Sequence, residues 1–297
     1  MPNTLAHFGI QTVLSKAAFR RTDSKWIGLG CLLPDLPWIS QRLIYGLHIV
    51  NPVDLRLYVI IQSSLFMTLI LAAAISLQVQ YSRRIFLVLA GNCLLHLLLD
   101  ATQIKWANGI HLLAPFSWKL INYGSYWPEQ LPALMLTLAG LLLFPFFVWK
   151  DRNKTVTVLC RAKRQTAGCV LLAIYLILPC FLLSGPRKAN NHFTATLISG
   201  QRTGQYIEID RKPYRAEQHT IESLSGERLH LRGKNLPRKD TTLSLQGTFL
   251  SQNTILISKY HVHTPLRDTA SIVGISMLLA SWLVALLGKR ITVCSDQ

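Results

Sequence analysis

Long, uninterrupted apolar runs constrain this chain more than any other feature. Residues 57–78 (LYVIIQSSLFMTLILAAAISLQ), 85–100, 131–149, 166–184 and 270–288 each read as a membrane span. Inside a bilayer no water satisfies the backbone, so such runs must fold as helices. Two weaker runs precede them. Residues 5–19 predict a short, moderately apolar helix, with Asn3 and Thr4 as start signals. Residues 26–47 are broken by Pro34, Asp35, Pro37 and Arg42, which suits a broken helix packed against other helices. The expected fold class is an α-helical polytopic membrane protein, with about five clear spans plus two shorter N-terminal membrane helices.

Charge gives this set a direction. The chain carries 31 basic against 14 acidic side chains, a formal charge of +17. The basic residues cluster beside the apolar runs: Lys16, Arg20, Arg21 and Lys25; Arg83 and Arg84; Lys150, Arg152, Lys154, Arg161, Lys163 and Arg164; Lys289 and Arg290. Putting all four clusters in the cytoplasm of a bacterial inner membrane gives one self-consistent weave of seven segments, N-terminus outside and C-terminus inside. Anionic lipid headgroups are then the natural partner of the basic segments. Nucleic acid is not, because an ordered basic face with interleaved aromatics is missing. The six cysteines form no CxxC spacing, which argues against a zinc knot or a disulfide framework.

Residues 187–267 change character. FTATLIS, QYIEID, HTIESL, ERLHLR, TTLSLQGTFL and TILISKYHV are short alternating runs separated by turn residues. Six strands in about eighty residues predict a small all-β external domain, an OB-like barrel by preference. The chain thus divides into a helical membrane domain with a candidate metal site (1–150), a basic loop and span (151–186), the external β-domain (187–267), and a last span with a cytoplasmic tail (268–297). An aromatic-rich loop, 101–130, carries Trp106, Trp118, Tyr123, Tyr126 and Trp127, residues suited to the lipid–water interface.

The chemistry centres on His96-Leu-Leu-Leu-Asp100. Residues four apart share a helix face, and an intramembrane carboxylate is costly enough to need a partner. His7 lies thirteen residues before Arg20, Asp35 ten after Lys25, His96 twelve after Arg84 and Asp100 sixteen after it. At about 1.5 Å per residue all four reach a similar depth in the outer half of the membrane. Two imidazoles and two carboxylates suit a divalent metal, zinc first and manganese second. Such an ion lowers the pKa of bound water and neutralises phosphoryl charge. At that depth the substrate would be a lipid or lipid-linked phosphoester. Loop 101–130 would form the rim, with His111 as its acid or base.

TLAHFG (4–9), GCLLPDLP (30–37), HLLLD (96–100) and LLAPFSW (112–118) together resemble the membrane-bound metal-dependent hydrolase family over about the first 150 residues. The resemblance implies a hydrolase with His7, Asp35, His96 and Asp100 as its metal-site residues. Two departures argue against a second metal. Pro37 stands where the family often has another Asp. The stretch DLRLYVIIQSSL (54–65) keeps Arg56 and Ser64 but lacks the family's histidine, with Gln62 and Ser63 as substitutes. The rival reading is a non-catalytic inner-membrane anchor whose β-domain binds an envelope protein or glycan. A transporter is disfavoured by the lack of an inverted repeat. His261 and His263 face one side of a predicted strand, but without a third ligand they read as surface, as do His48, His219 and His230.

Overall fold

The computed structural model describes residues 3–295 except Arg20, His48, Asn190 and Asn191, so two positions weighed above, Arg20 and His48, lie outside the described residues. Helix α1 (Thr4–Ala18) is capped by Asn3, whose side chain accepts from the Ala6 amide. It is too short to span a membrane, and it buries a polar stripe of Asn3, Thr4, His7, Gln11, Thr12 and Ser15. The expected broken helix follows: α2 (Ser24–Leu32), one 3-10 turn (Leu33–Asp35) and α3 (Leu36–Tyr45), with Pro34 and Pro37 each opening a new segment.

The run 57–78 is not one continuous helix. It forms α4 (Pro52–Gln62) and α5 (Leu65–Leu77), bent by 68° at Ser63–Ser64. The two serines make the break. Ser63 Oγ donates to the Ile60 carbonyl at 3.1 Å, and Ser64 is extended as the N-cap of α5. Then come α6 (Ser82–Thr102), α7 (Leu131–Lys150), strand β1 (Val156–Cys160), α8 (Ala162–Leu182), and two short helices, α9 (Ser184–Ala189) and α10 (Thr194–Ile198). Strands β2 (Tyr206–Arg215), β3 (Thr220–Glu222), β4 (Arg228–Arg232), β5 (Thr241–Ser251) and β6 (Thr254–His263) precede α11 (Leu266–Leu287) and β7 (Ile291–Ser295).

Among the described residues α6, α7, α8 and α11 are long and apolar enough to cross a membrane, and the α4–α5 pair makes a fifth candidate. The molecule is membrane-embedded. Half of the apolar window of α6 is buried in protein, against about a fifth in α7, α8 and α11. The helix carrying His96 and Asp100 is therefore the interior one. Helices α1 and α7 approach closely through Gly9 and Gly140, the small-residue contact that membrane helices use.

The basic clusters gather at one end. Asp151 is the hub: Lys16 and Lys154 pair with it, and both the amide and the hydroxyl of Ser24 donate to it. Lys154 also donates to the Thr22 carbonyl, and Arg290 to that of Arg152. A parallel pair of strands, β1 with β7, closes this end, a feature the alternation pattern did not announce.

Strands β2–β6 form a closed barrel in the order β2-β3-β4-β6-β5, antiparallel except for the β4–β6 pair. Its interior is Ile207, Ile209, Tyr214, Ile221, Leu229, Leu231, Leu243, Leu245, Phe249 and Ile255. The first of the six expected strands, FTATLIS, is instead helix α10. Phe193, at the N-cap, and Leu197 sit one helical turn apart, so both bury into the barrel core about 6 Å from one another along the axis. A strand would also put them on one face but would spread them over about 13 Å.

Candidate metal centre

His7, His96 and Asp100 meet inside the helical domain, each essentially inaccessible to water. Their ligand atoms all lie within 4.8 Å of one another. His7 Nε2 is 3.3 Å from Asp100 Oδ1, and His96 Nε2 is 3.8 Å from Asp100 Oδ2. The two imidazoles stack in parallel, with centroids 3.8 Å apart. Asp35 touches the group through His96 Nε2, at 3.5 Å, but falls outside the mutually close set. Three elements position them: α1 brings His7, the prolyl break after α2 turns Asp35 inward, and the inner helix α6 brings the other two.

The contacts have ion-pair distances without hydrogen-bond geometry. His7 Nε2, both ring nitrogens of His96, Asp35 Oδ1 and Asp100 Oδ1 are buried with no hydrogen-bond partner. Buried polar atoms left this way are expensive. Gln11 sharpens the point. With its amide oriented so that both ends are satisfied, its oxygen accepts from His7 Nδ1 at 3.2 Å, and its nitrogen donates to Asn92 O (3.1 Å) and Oδ1 (2.9 Å). The lone pair of His7 Nε2 then faces a carboxylate oxygen with no proton between them. Two ligands on a tetrahedral zinc stand about 3.3 Å apart, given metal–ligand distances near 2.0 Å. The His7–Asp100 and His96–Asp35 spacings of 3.3 and 3.5 Å are close to that separation. His96–Asp100 at 3.8 Å is longer, and one of the two parallel imidazoles must turn for both to face one ion. Gln11 is placed as the outer partner that fixes the His7 tautomer.

Lys105, which no sequence pattern marked, places Nζ 3.1 Å from Asp100 Oδ2 and is buried. It lies beyond the end of α6, so no helical period linked it to Asp100. Were both histidines neutral, two carboxylates and one ammonium would leave the cluster one net negative charge, which a further cation would offset. His96, Asp100, Lys105, Ser63, Ser64 and His111 line a narrow cavity of about 20 Å³, room for about one water. His111 is thus where a rim acid or base was expected, with its ring edge-on to Trp118. Burial pushes its imidazole below the ordinary histidine range. Ser63 Oγ is spent on its own helix, whereas Ser64 Oγ is buried against the cavity without a partner.

A second group, Glu129, His261 and His263, also has ligand atoms within 4.8 Å of one another. The expectation that the two histidines lack a third partner is corrected: loop 101–130 supplies Glu129, at 3.1 Å from His261 Nε2 and 3.0 Å from His263 Nδ1. Trp127 stacks on His261 at 3.8 Å. This group could hold an ion, but the Arg211 guanidinium already lies 3.0 Å from His263 Nδ1 and 3.5 Å from Glu129. It works as a clasp between barrel and membrane domain. Burial alone would raise the Glu129 pKa, but hydrogen bonds from His263 and His261, with the charges of His263 and Arg211, outweigh it and hold the carboxyl at about 2. A folded-state value below the ordinary 4.5 means the clasp is at full strength above about pH 4.5 and is lost as pH falls toward about 2. Glu129→Gln is expected to cost about 2 kcal/mol, read as a lower melting temperature at pH 7 and an unchanged one near pH 2.

No protein-family model matches the chain, and neither a curated protein nor a solved structure is similar to it.

Proposed function

We propose that this protein is a membrane-embedded, metal-dependent hydrolase acting on a lipid or envelope-derived phosphoester. The observation that carries the proposal is the buried meeting of His7, His96 and Asp100, whose ligand atoms face one another without hydrogen bonds. Asp35 completes the donor set through His96, and the two-imidazole, two-carboxylate chemistry favours zinc, then manganese. The resemblance of the His7, Asp35, His96 and Asp100 motifs to membrane-bound metal-dependent hydrolases points the same way.

A divalent ion held by His7, His96 and Asp100 would supply Lewis acidity and make water more acidic there. The chain's own residues do the rest. Lys105 carries positive charge to the point where a phosphoryl oxygen gains negative charge. His111, kept neutral by burial, accepts or returns a proton across the cavity, and Ser64 Oγ offers a hydrogen bond to the substrate. Pro34 and Ile110 close the walls and restrict water.

The setting proposed is a bacterial inner membrane with seven membrane segments, the N-terminus and barrel outside and the C-terminus in the cytoplasm. The gathering of the basic clusters around Asp151 supports this orientation. The barrel is proposed to be OB-like, since five strands closing in a Greek-key order suit that fold. A second reading, a non-catalytic anchor whose barrel binds an envelope protein or glycan, is favoured by Lys105, which partly neutralises the buried carboxylates without any ion.

Metal analysis of the purified full chain separates the two. About one equivalent of zinc or manganese is expected, falling below a tenth of that in His96→Ala. A metal-free wild-type protein that reconstitutes with neither ion would sink the hydrolase.

A further inference from the structure

A larger cleft, of about 490 Å³, opens between the helical domain and the barrel. Trp38 and Asn108 line both this cleft and the small cavity at the metal centre, so the two adjoin. Five cationic side chains border it, Arg42, Arg56, Arg211, Lys212 and Arg267, against two carboxylates, Asp210 and Asp268.

The carboxylates are already engaged. Asp268 lies 3.8 Å from both Arg211 and Arg267, and Asp210 accepts from Ser244 Oγ at 2.8 Å. Arg42, Arg56 and Lys212 have no ion-pair partner among the described residues. Arg56 rests its guanidinium over the Trp38 ring at 4.4 Å, and its Nε is buried without a hydrogen-bond partner. Burial and the nearby Arg56 both push the Lys212 ammonium below its usual range. Asp210 lies near enough to act on Arg56 and Glu222 on Lys212, but neither carboxylate forms an ion pair with them among the described residues, so an anion bound between the two cations would be favourable.

The backbone places Lys212 there at a cost. Strand β2 is bulged between Ile209 and Lys212 in its pairing with β5, and Arg211 adopts φ +48°, which non-glycine residues seldom do. The bulge turns consecutive basic side chains toward the membrane domain, a use to which bulges beside binding sites are commonly put.

We infer that this cleft binds a phosphate group, carried by a lipid headgroup or free in solution, on Arg56 and Lys212 with Arg42 at its mouth. Arginine offers a planar fork that matches phosphate oxygens, and lysine adds a point charge. The inference deepens the reading of the metal centre, because it gives the substrate its anionic handle. It rests on that reading only for the role of the neighbouring cavity; binding itself needs no turnover.

The test is equilibrium binding of the full chain in neutral detergent to phosphatidic acid, with diacylglycerol, the same lipid without its phosphate, and inorganic phosphate as separate arms. Phosphatidic acid is expected to bind at least 10-fold more tightly than diacylglycerol. The double variant Arg56→Gln/Lys212→Gln should lose at least 10-fold, and Arg187→Gln, which removes an exposed cation paired with Asp54, less than 2-fold. Competition by millimolar inorganic phosphate would show that the phosphate group suffices. Phosphatidic acid binding without such competition would show that the lipid must carry it. Melting curves confirm that the variants are folded, and their metal content, expected unchanged, keeps this result separate from the fate of the metal centre. Equal binding of both lipids, or wild-type affinity in the double variant, would overturn the inference.

Discussion

Asp100→Ala is expected to abolish metal retention and any hydrolysis that depends on it, and to destabilise the protein by about 3–5 kcal/mol. Asp100 touches three other residues of the centre, both imidazoles and its one ammonium: His7 at 3.3 Å, His96 at 3.8 Å and Lys105 at 3.1 Å. Alanine leaves Lys105 as a buried cation with no counter-charge, and that accounts for the stability loss. It also removes the carboxylate that both imidazoles face. Asp100→Asn separates these effects. The amide keeps the shape but not the charge, and an affinity loss of at least about 100-fold for zinc is expected, since outer-sphere changes alone cost 10–100-fold. Adding Lys105→Met to Asp100→Asn should restore much of the stability, because the uncompensated cation goes, yet restore none of the metal. Isothermal titration with zinc and thermal melting on the same samples read the two columns. If melting follows the pattern while zinc affinity never changes, the cluster is a packing device.

Gly140→Ala, far from any chemistry, is expected to cost about 3 kcal/mol and to release the metal as well. A Cβ on Gly140 would overlap the carbonyl oxygen and carbon of Leu5, both backbone atoms that cannot swing aside. Overpacking a close-packed contact of this kind costs about 1–3 kcal/mol when neighbours can shift and more when they cannot. Here α1 must move off α7 as a unit, and α1 carries His7 two residues beyond Leu5. His7 Nε2 would be drawn from Asp100, so metal retention should fall together with stability. Gly91→Ala gives the contrast. It adds a methyl on α6 with no atom within 4 Å, and should be neutral or stabilising by about 0.5–1 kcal/mol. Melting and metal content of the two variants check the claim. A Gly140→Ala protein as stable as Gly91→Ala would show that α1 and α7 are not packed this way.

Much of this was legible in the chain itself. The spans followed from apolar length, because lipid leaves the backbone no partner but itself. The barrel's five strands followed from alternation and turn residues. Counting residues from basic markers predicted a shared level for His7, Asp35, His96 and Asp100; the structure brings His7, His96 and Asp100 together and leaves Asp35 touching the group through His96. What alternation and length could not show is how close two chain-distant atoms come. FTATLIS alternates like a strand, yet Phe193 and Leu197 are held one turn apart by a barrel core that exists only after folding. Residues 57–78 are apolar enough to cross unbroken, but Ser63 and Ser64 bend them by 68°. Lys105 beside Asp100, Glu129 between two histidines and Arg56 opposite Lys212 are pairings that no local period connects. Sequence by itself determined which residues carry charge into the apolar helices. Only the tertiary structure decided which of those charges would face one another, because electrostatic partnership depends on a few ångströms of separation that no local pattern encodes.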